Sequence, residues 1–445
     1  MVFLKLKQGA SYITNRRSVT YYPHGGNTYS PTGVKVIKLM LTGSDWLDPG
    51  SLRLMYDLVN TNGNLANRLY PISGPWSFFR RLRIICGGQV VEDIDYYNHV
   101  HELFHVMMPT NVRNNDDIEG FGNGLPNPST LSYKGSSLTD DNAFGAQLWP
   151  GIAGGSSMPV SFRFLSGLLN QDKFLPIRYC PITIELELVN QLTDPVVIGN
   201  GNSEVVQYRN NISTSWMIQN VMAKADVVTL DNSLDNEYAQ HLLEGKSLPI
   251  SYSTYVSQLL SISSNNNFTA NITRSFTRLK SVFSTFYRTD VDWKLHSDYN
   301  KDWNTFYHPM LWDKADGGQY IAYNPASELQ LQIQVGSKLM PEYPCNSTKE
   351  AFAQLRKCLG IHSSTWHSID ISDNDYRSTR FIFGIDCEKM LSAGYTGLNT
   401  KAGDLMTIRA KYLGTRANAT PDTLYVILHS DQILNIRDTG VEVLE

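Results

Sequence analysis

The amino-acid sequence predicts an all-β protein organised as two consecutive sandwiches, and three observations point there. Short β-favouring runs recur between clusters of Gly, Pro, Asn and Asp along most of the chain. Several runs alternate apolar and polar residues with a period of two, the pattern of a strand with one buried face. Helical signals are few and short, and they interrupt the β series instead of alternating with strands, which disfavours a doubly wound α/β fold. The 445 residues fall into two such series. Each spans roughly 180–220 residues, within the range of a single domain, with a short helix midway.

The elements follow in order. Residues 34–41 and 52–59 read as early strands. Residues 78–86 and 89–94 form a hairpin around Gly87-Gly88, because paired glycines accept the positive φ of a tight turn. Residues 96–107 read as a helix, with Asp95 as N-cap and Pro109 as its stop. Residues 111–155 read as a long loop at a sandwich end, and 160–164 and 182–188 as half-buried strands. The polar stretch 190–215, with Gly199-Asn-Gly-Asn and Asn210-Asn211, is the best domain junction. A second series opens at Trp216 and takes in 272–286, 329–335, 381–385, 405–413, 424–428 and 433–443, with a long loop at 290–323. Residues 236–243 and 349–359 add short helices. The expected boundaries are an N-terminal arm at 1–33, a first sandwich at 34–195, a linker at 196–215 and a second sandwich at 216–445.

Composition narrows the function classes. Hydrophobic residues make up 42% and charged residues 18%, so the chain buries a real core and is not disordered. A net charge of −4 gives no general attraction to nucleic acid. The basic residues Lys5, Lys7, Arg16 and Arg17 near the start read as solvated charges. Five cysteines with no CxxC pair suit buried thiols in a reducing compartment better than a disulfide framework. The opening residues show no signal-peptide run, and no segment approaches the length of a membrane span. Sequons at Asn211, Asn267, Asn271, Asn346 and Asn418 accordingly read as the mark of an Asn-rich, loop-rich chain.

The sharpest motif by letter is His101-Glu-Leu-Phe-His105, the HExxH pattern of zinc peptidases. At helical spacing His101 and His105 share one face and could hold a zinc ion, with Glu102 as general base. A third ligand is missing, however. Met108 stands where the extended motif needs glycine, and Glu119 lies in a segment that reads as loop. Val100, Leu103, Phe104 and Met107 make an apolar stripe, so a small amphipathic helix is the better reading. His99 adds an imidazole on a different face. Glu244-Gly-Lys-Ser247 resembles the tail of a phosphate loop but has Gln240 where the first glycine belongs. Gly120-Phe-Gly-Asn-Gly124 lacks the strand–helix setting of a dinucleotide fingerprint. Trp76, Trp293, Trp303, Trp312 and Trp366 offer material for a sugar platform, but core anchors and subunit contacts are the plainer explanation. No catalytic residue and no cofactor site is expected, with His101 and His105 the weak zinc candidates.

Four segments in order resemble the double jelly-roll major capsid proteins of the adenovirus and tailless-phage lineage, most closely those of polinton-like viruses, adintoviruses and virophages. They are the strand–Gly-Gly–strand–helix passage at 76–109, the segment 174–188, the strand–Pro–helix passage at 335–360 and the C-terminal hairpin at 425–437. Together they cover most of the chain from about residue 34 onward. The resemblance implies two consecutive eight-stranded jelly rolls with short helices and long end loops. It also implies a homotrimer acting as a pseudo-hexameric capsomer in the icosahedral shell of a DNA virus. Neighbouring capsomers, penton and minor capsid proteins, and in many members an internal membrane, would be its partners. No sequence-specific nucleic-acid binding is implied, and the protein would be assembled inside the host cell into the virion capsid. Arg80, Arg81 and Arg83 could then pair across subunits. The competing readings are a zinc-dependent peptidase and a carbohydrate-binding β-sandwich attachment protein.

Overall fold

The period-two segments become strands that bury alternate side chains. Ile182, Ile184, Leu186 and Leu188 of one strand are all buried, while Thr183, Glu185 and Glu187 between them are half-exposed. Each such aliphatic side chain taken from water stabilises the sandwich by about 1.5–3 kcal/mol. The computed structural model describes residues 12–121, 151–196, 212–262, 267–287, 330–360, 369, 371, 373–376, 380–388, 397–401, 405–411 and 423–445. Of the long loops expected at 111–155 and 290–323, residues 122–150 and 290–323 lie outside the described residues, as do Lys5, Lys7, Asn211 and Asn418.

The first unit contains β1 (Ile13–Tyr21), β2 (Thr28–Tyr29), β3 (Val36–Leu41), β4 (Trp46–Asn60), β5 (Arg68–Leu69) and β6 (Phe79–Cys86). It continues through β7 (Gln89–Ile94), β8 (Ile152–Ala153), β9 (Ser157–Phe162), β10 (Ile182–Leu188), β11 (Ile212–Ser213) and β12 (Trp216–Leu230). Its two main sheets run β1-β12-β4-β9 and β3-β10-β6-β7. Leaving aside the two-residue strands, the order is first, eighth, third, sixth against second, seventh, fourth, fifth. That is a jelly roll.

The second unit comprises β13 (Leu248–Ser261), β14 (Phe268–Ile272), β15 (Leu279–Tyr287), β16 (Gln330–Val335), β17 (Lys338–Cys345), β18 (Phe383–Asp386), β19 (Met406–Lys411), β20 (Thr423–Arg437) and β21 (Gly440–Leu444). Its sheets run β13-β20-β15-β18 and β14-β19-β16-β17, with β21 added beside β20. The order is again first, eighth, third, sixth against second, seventh, fourth, fifth. The chain is therefore a double jelly roll, as the resemblance implied.

Helices occupy corresponding places. In each roll a helix falls between the fifth and sixth strands: α1 (Tyr97–Met107) and α2 (Thr110–Glu119) in the first. In the second, with α3 (Asn232–Leu243) linking the rolls, they are α4 (Thr348–Cys358) and the single turn α5 (Asp373–Tyr376). Ser347 caps α4 by accepting from the Glu350 N–H at 3.0 Å, and Glu350 Oε2 reaches back to accept from the N–H of Asn346, the residue before the cap, at 3.0 Å. Among the described residues no helix is long and apolar enough to cross a membrane.

Several sequence expectations need correction. The strand at Trp216 was expected to open the second roll, but it pairs with β4 from Trp216↔Asn60 to Val228↔Trp46 and so closes the first. The rolls therefore divide after Leu230, not at 196–215. The supposed arm also contains β1, which pairs with β12 from Ile13↔Leu230 to Tyr21↔Ala223. A jelly roll needs its eighth strand beside its first and third, and that pairing outweighs the local loop signal before it. Residues 110–119, read as loop, form α2, because Pro109 stops α1 and then serves as the N-cap of a new helix. Asp95 does not cap α1. Tyr96 does, with φ 47°, and Asp95 Oδ1 accepts its N–H at 3.0 Å. The span 272–286 divides into β14 and β15, whereas 424–428 and 433–437 fuse into the single strand β20. The C-terminal hairpin turns between Arg437 and Gly440.

Candidate functional site

The HExxH helix is buried where the two rolls meet. His101, Glu102 and His105 are each less than a tenth exposed. The His101 ring stacks on Trp76 at 4.1 Å between centroids, and its Nε2 donates to the Arg163 carbonyl at 3.3 Å. The His105 ring leans on the same indole at 4.5 Å, with Nε2 3.8 Å from Asp116 Oδ2. Burial lowers the imidazoles to about 4 and about 3 respectively, so both are neutral at ordinary pH. Glu102 points into protein. Its Oε2 accepts from Trp76 Nε1 at 3.0 Å and from Ser73 Oγ, while burial raises its pKa. The general-base position of a peptidase is thus tied to an indole and a hydroxyl. Among the described residues no group of three His, Cys, Asp or Glu side chains is placed to hold a metal ion.

The far face of α1 builds the junction. Phe104 packs on Tyr255 at 4.8 Å and on Phe283 at 5.3 Å between ring centroids. His99 Nδ1 lies 3.0 Å from the Tyr287 hydroxyl. Tyr425 donates to the Tyr96 carbonyl at 3.1 Å, and Ser257 Oγ donates to that of Asp95. Beside the helix, the Tyr252 hydroxyl on β13 lies 3.1 Å from the Val91 carbonyl on β7 and 2.6 Å from Gln432 Oε1. A Cβ on Gly167 would stand 1.6 Å from the Ser253 carbonyl oxygen, so only glycine permits the backbones to approach so closely. Glu92 is fully buried in this seam. Its Oε1 accepts from the Leu168 N–H at 3.1 Å, and desolvation raises its pKa to about 7. Nothing in the sequence marked Glu92, Gly167, Tyr252 or Tyr425, since each acts through residues far away in the chain, on the other roll for Gly167, Tyr252 and Tyr425.

The remaining sequence candidates resolve into structure. Arg81 makes a bidentate pair with Asp93 at 2.7 Å for each bond, and Arg83 reaches Glu185 at 3.4 Å. Arg80 lies 3.5 Å from Asp95 and over the Tyr96 ring. All three arginines therefore pair within the chain. Gly245, at φ 77°, turns the chain from α3 toward β13, and Lys246 pairs with Glu244 at 2.8 Å, so this segment is a helix-to-strand turn. Trp76 is an anchor of the first roll, and Trp293, Trp303, Trp312 and Trp366 fall outside the described residues. The five cysteines are free thiols, four of them buried.

The arrangement is a double jelly roll, and the solved structures that share this fold are viral capsid proteins. The sequence matches no family model and no curated protein. Superposition on the PBCV-1 VP54 structure fitted into a reconstruction of the virophage Sputnik gives a TM-score of 0.58 at 11% identity, covering 98% of this chain and 97% of that one. The Faustovirus major capsid protein gives 0.58 at 8% identity over 98% and 93%. The Sputnik virophage structure gives 0.57 at 12% identity over 98% and 89%. At these identities the shared property is the fold, and it extends over nearly the whole chain.

Proposed function

We propose that the protein is a viral major capsid protein that assembles with itself as a homotrimer. Three double jelly rolls would give a pseudo-hexameric capsomer, and capsomers would tile an icosahedral shell around a DNA genome, contacting penton and minor capsid proteins and, in some shells, an internal membrane. The observation that carries this reading is the exact repetition of one eight-strand order in two abutting rolls, a fold shared nearly end to end with viral capsid proteins. The role is structural and non-enzymatic. Its support at the peptidase-like motif is the packing of His101 and His105 on Trp76 and the engagement of Glu102 by Ser73 and Trp76. The test is a solution mass of the expressed protein. Three copies of a 50.1 kDa chain are expected, and a monomer at every concentration contradicts the proposal.

A further inference from the structure

A single β-bulge puts a carboxyl group behind the contact between the two rolls. The β6–β7 register runs Ile84↔Glu92 and then Ile85↔Val90, so Val91 is the extra residue. Alternation breaks there, and Val91 and Glu92 are both buried. The Val91 carbonyl lies 3.1 Å from the Tyr252 hydroxyl of β13, which is 2.6 Å from Gln432 Oε1 on β20. The Glu92 carboxyl holds the loop 163–169, with Oε1 accepting from the Leu168 N–H at 3.1 Å. Gly167 of that loop approaches β13 so closely that a Cβ would stand 1.6 Å from the Ser253 carbonyl oxygen. One carboxyl thus braces the segment against which the second roll rests.

The brace suits a neutral carboxyl. Glu92 is 1% exposed, and its second oxygen, Oε2, is buried without a hydrogen-bond partner. A charge on that oxygen would have neither water nor a donor to stabilise it. The titratable groups facing it are Cys86 from β6, Tyr97 from α1, and Tyr252 and Tyr255 from β13. Burial raises the three tyrosines, and a hydrogen bond to Cys180 together with burial raises the Cys86 thiol, so all four are uncharged at neutral pH. The loop offers the Ser166 hydroxyl and backbone N–H groups. On β7 itself, Asp93 turns to the opposite face and pairs with Arg81. On β20, Asp431 lies 3.6 Å from Lys280, and Glu445, beyond Tyr252, is held by Arg274 and Lys401. Among the described residues no cation pairs with Glu92.

We infer that Glu92 is a proton-operated latch between the two rolls. Protonated, it locks the loop 163–169 against β13; ionised, it lets that loop lift and admit water. The device lies within one chain and so does not depend on the shell reading. Lifting the loop exposes the carboxyl and returns it from about 7 toward the ordinary 4.5. The closed seam therefore keeps a proton that the open seam releases. Opening is rarest below about pH 4.5, rises about tenfold per pH unit from there to about 7, and levels off above. The whole rise is about three hundredfold. The rolls are held most firmly together in acid and are freest to part from neutral pH upward.

Hydrogen exchange of the full chain at pH 5, 6, 7 and 8, corrected for the intrinsic exchange rate, tests the latch. The informative peptides span 163–169 and 248–257, with 182–188 of β10 as the reference. In wild type the first two are expected to lose protection about tenfold per pH unit from 5 to 7, and to exchange ahead of β10 at pH 8. Glu92→Gln keeps an acceptor for the Leu168 N–H and carries no charge, so it should hold the acid level of protection at every pH. Glu445→Gln, which alters the carboxylate beyond Tyr252, should keep the wild-type slope. Three results would each overturn the latch. They are a slope that survives in Glu92→Gln, a slope that vanishes in Glu445→Gln, and wild-type seam peptides that exchange in step with β10 at every pH.

Discussion

Glu92→Gln is expected to stabilise the protein above neutral pH and to change little in acid. The carboxyl is fully buried at the roll-to-roll seam, and desolvation raises it from an ordinary 4.5 to about 7. The folded state therefore holds a proton that the unfolded chain has already released. Stability from this group is fully present below about pH 4.5 and is lost as pH rises through about 7. At about 1.4 kcal/mol per pH unit, the interval from 4.5 to about 7 amounts to about 3 kcal/mol at pH 8. Glutamine keeps an oxygen to accept the Leu168 N–H and carries no charge. The buried imidazoles His101, His105 and His429 tilt stability the other way, since burial lowers each to about 3 or 4 and their contribution fades as pH falls below about 6.5. The informative quantity is thus the difference between variant and wild type. Urea denaturation at pH 4.5, 6, 7 and 8 should give curves that coincide in acid and separate by about 3 kcal/mol at pH 8. Parallel curves across that range, or a variant less stable at pH 8, would refute the assignment of a proton to buried Glu92.

Three further outcomes are expected. Gly167→Ala places a Cβ against the Ser253 carbonyl and should cost about 3 kcal/mol or more, whereas Gly63→Ala, with nothing within 4 Å, should be near neutral; thermal melting of both checks this. His101→Ala should lower the melting temperature through loss of the ring stacked on Trp76, while zinc analysis of wild type shows no stoichiometric metal and chelator leaves its melting unchanged. Stoichiometric zinc together with peptidase activity abolished by Glu102→Gln would reverse that reading. Arg81→Ala removes a bidentate pair with a partly exposed Asp93 and should cost about 0.5–1 kcal/mol, less at high salt, as a double-mutant cycle with Asp93→Ala would measure.

The sequence carried the strands wherever alternation was strict. The runs that became β3, β6, β7, β10 and β16 were read within about two residues, because a one-face-buried strand writes its pairing partner's demand into its own composition. The Gly87-Gly88 turn was legible for the same local reason, with φ of 53° and 86°. Chain-long pairing was not legible. Trp216–Leu230 has the texture of any strand, and only its partners β1 and β4, lying some 160 to 210 residues earlier, assign it to the first roll. The HExxH helix was legible as a helix from its apolar stripe, but not as one buried on every side: none of Tyr97 to Met107 is exposed, His101, Glu102 and His105 included. That its second face carries the roll-to-roll junction depended on Phe104 meeting Tyr255 and Phe283, residues beyond any local window. The N-cap at Ser347 was visible in the sequence as Ser-x-x-Glu, with Glu350 three residues on, and would have set the start of α4.

The central claim is that this double jelly roll is a shell subunit, and imaging of the assembled protein by electron microscopy tests it most directly. The account predicts flat particles of pseudo-hexagonal outline holding three chains and six sandwich lobes. Isolated particles with only the two lobes of a single chain, at concentrations where capsid subunits associate, would contradict it.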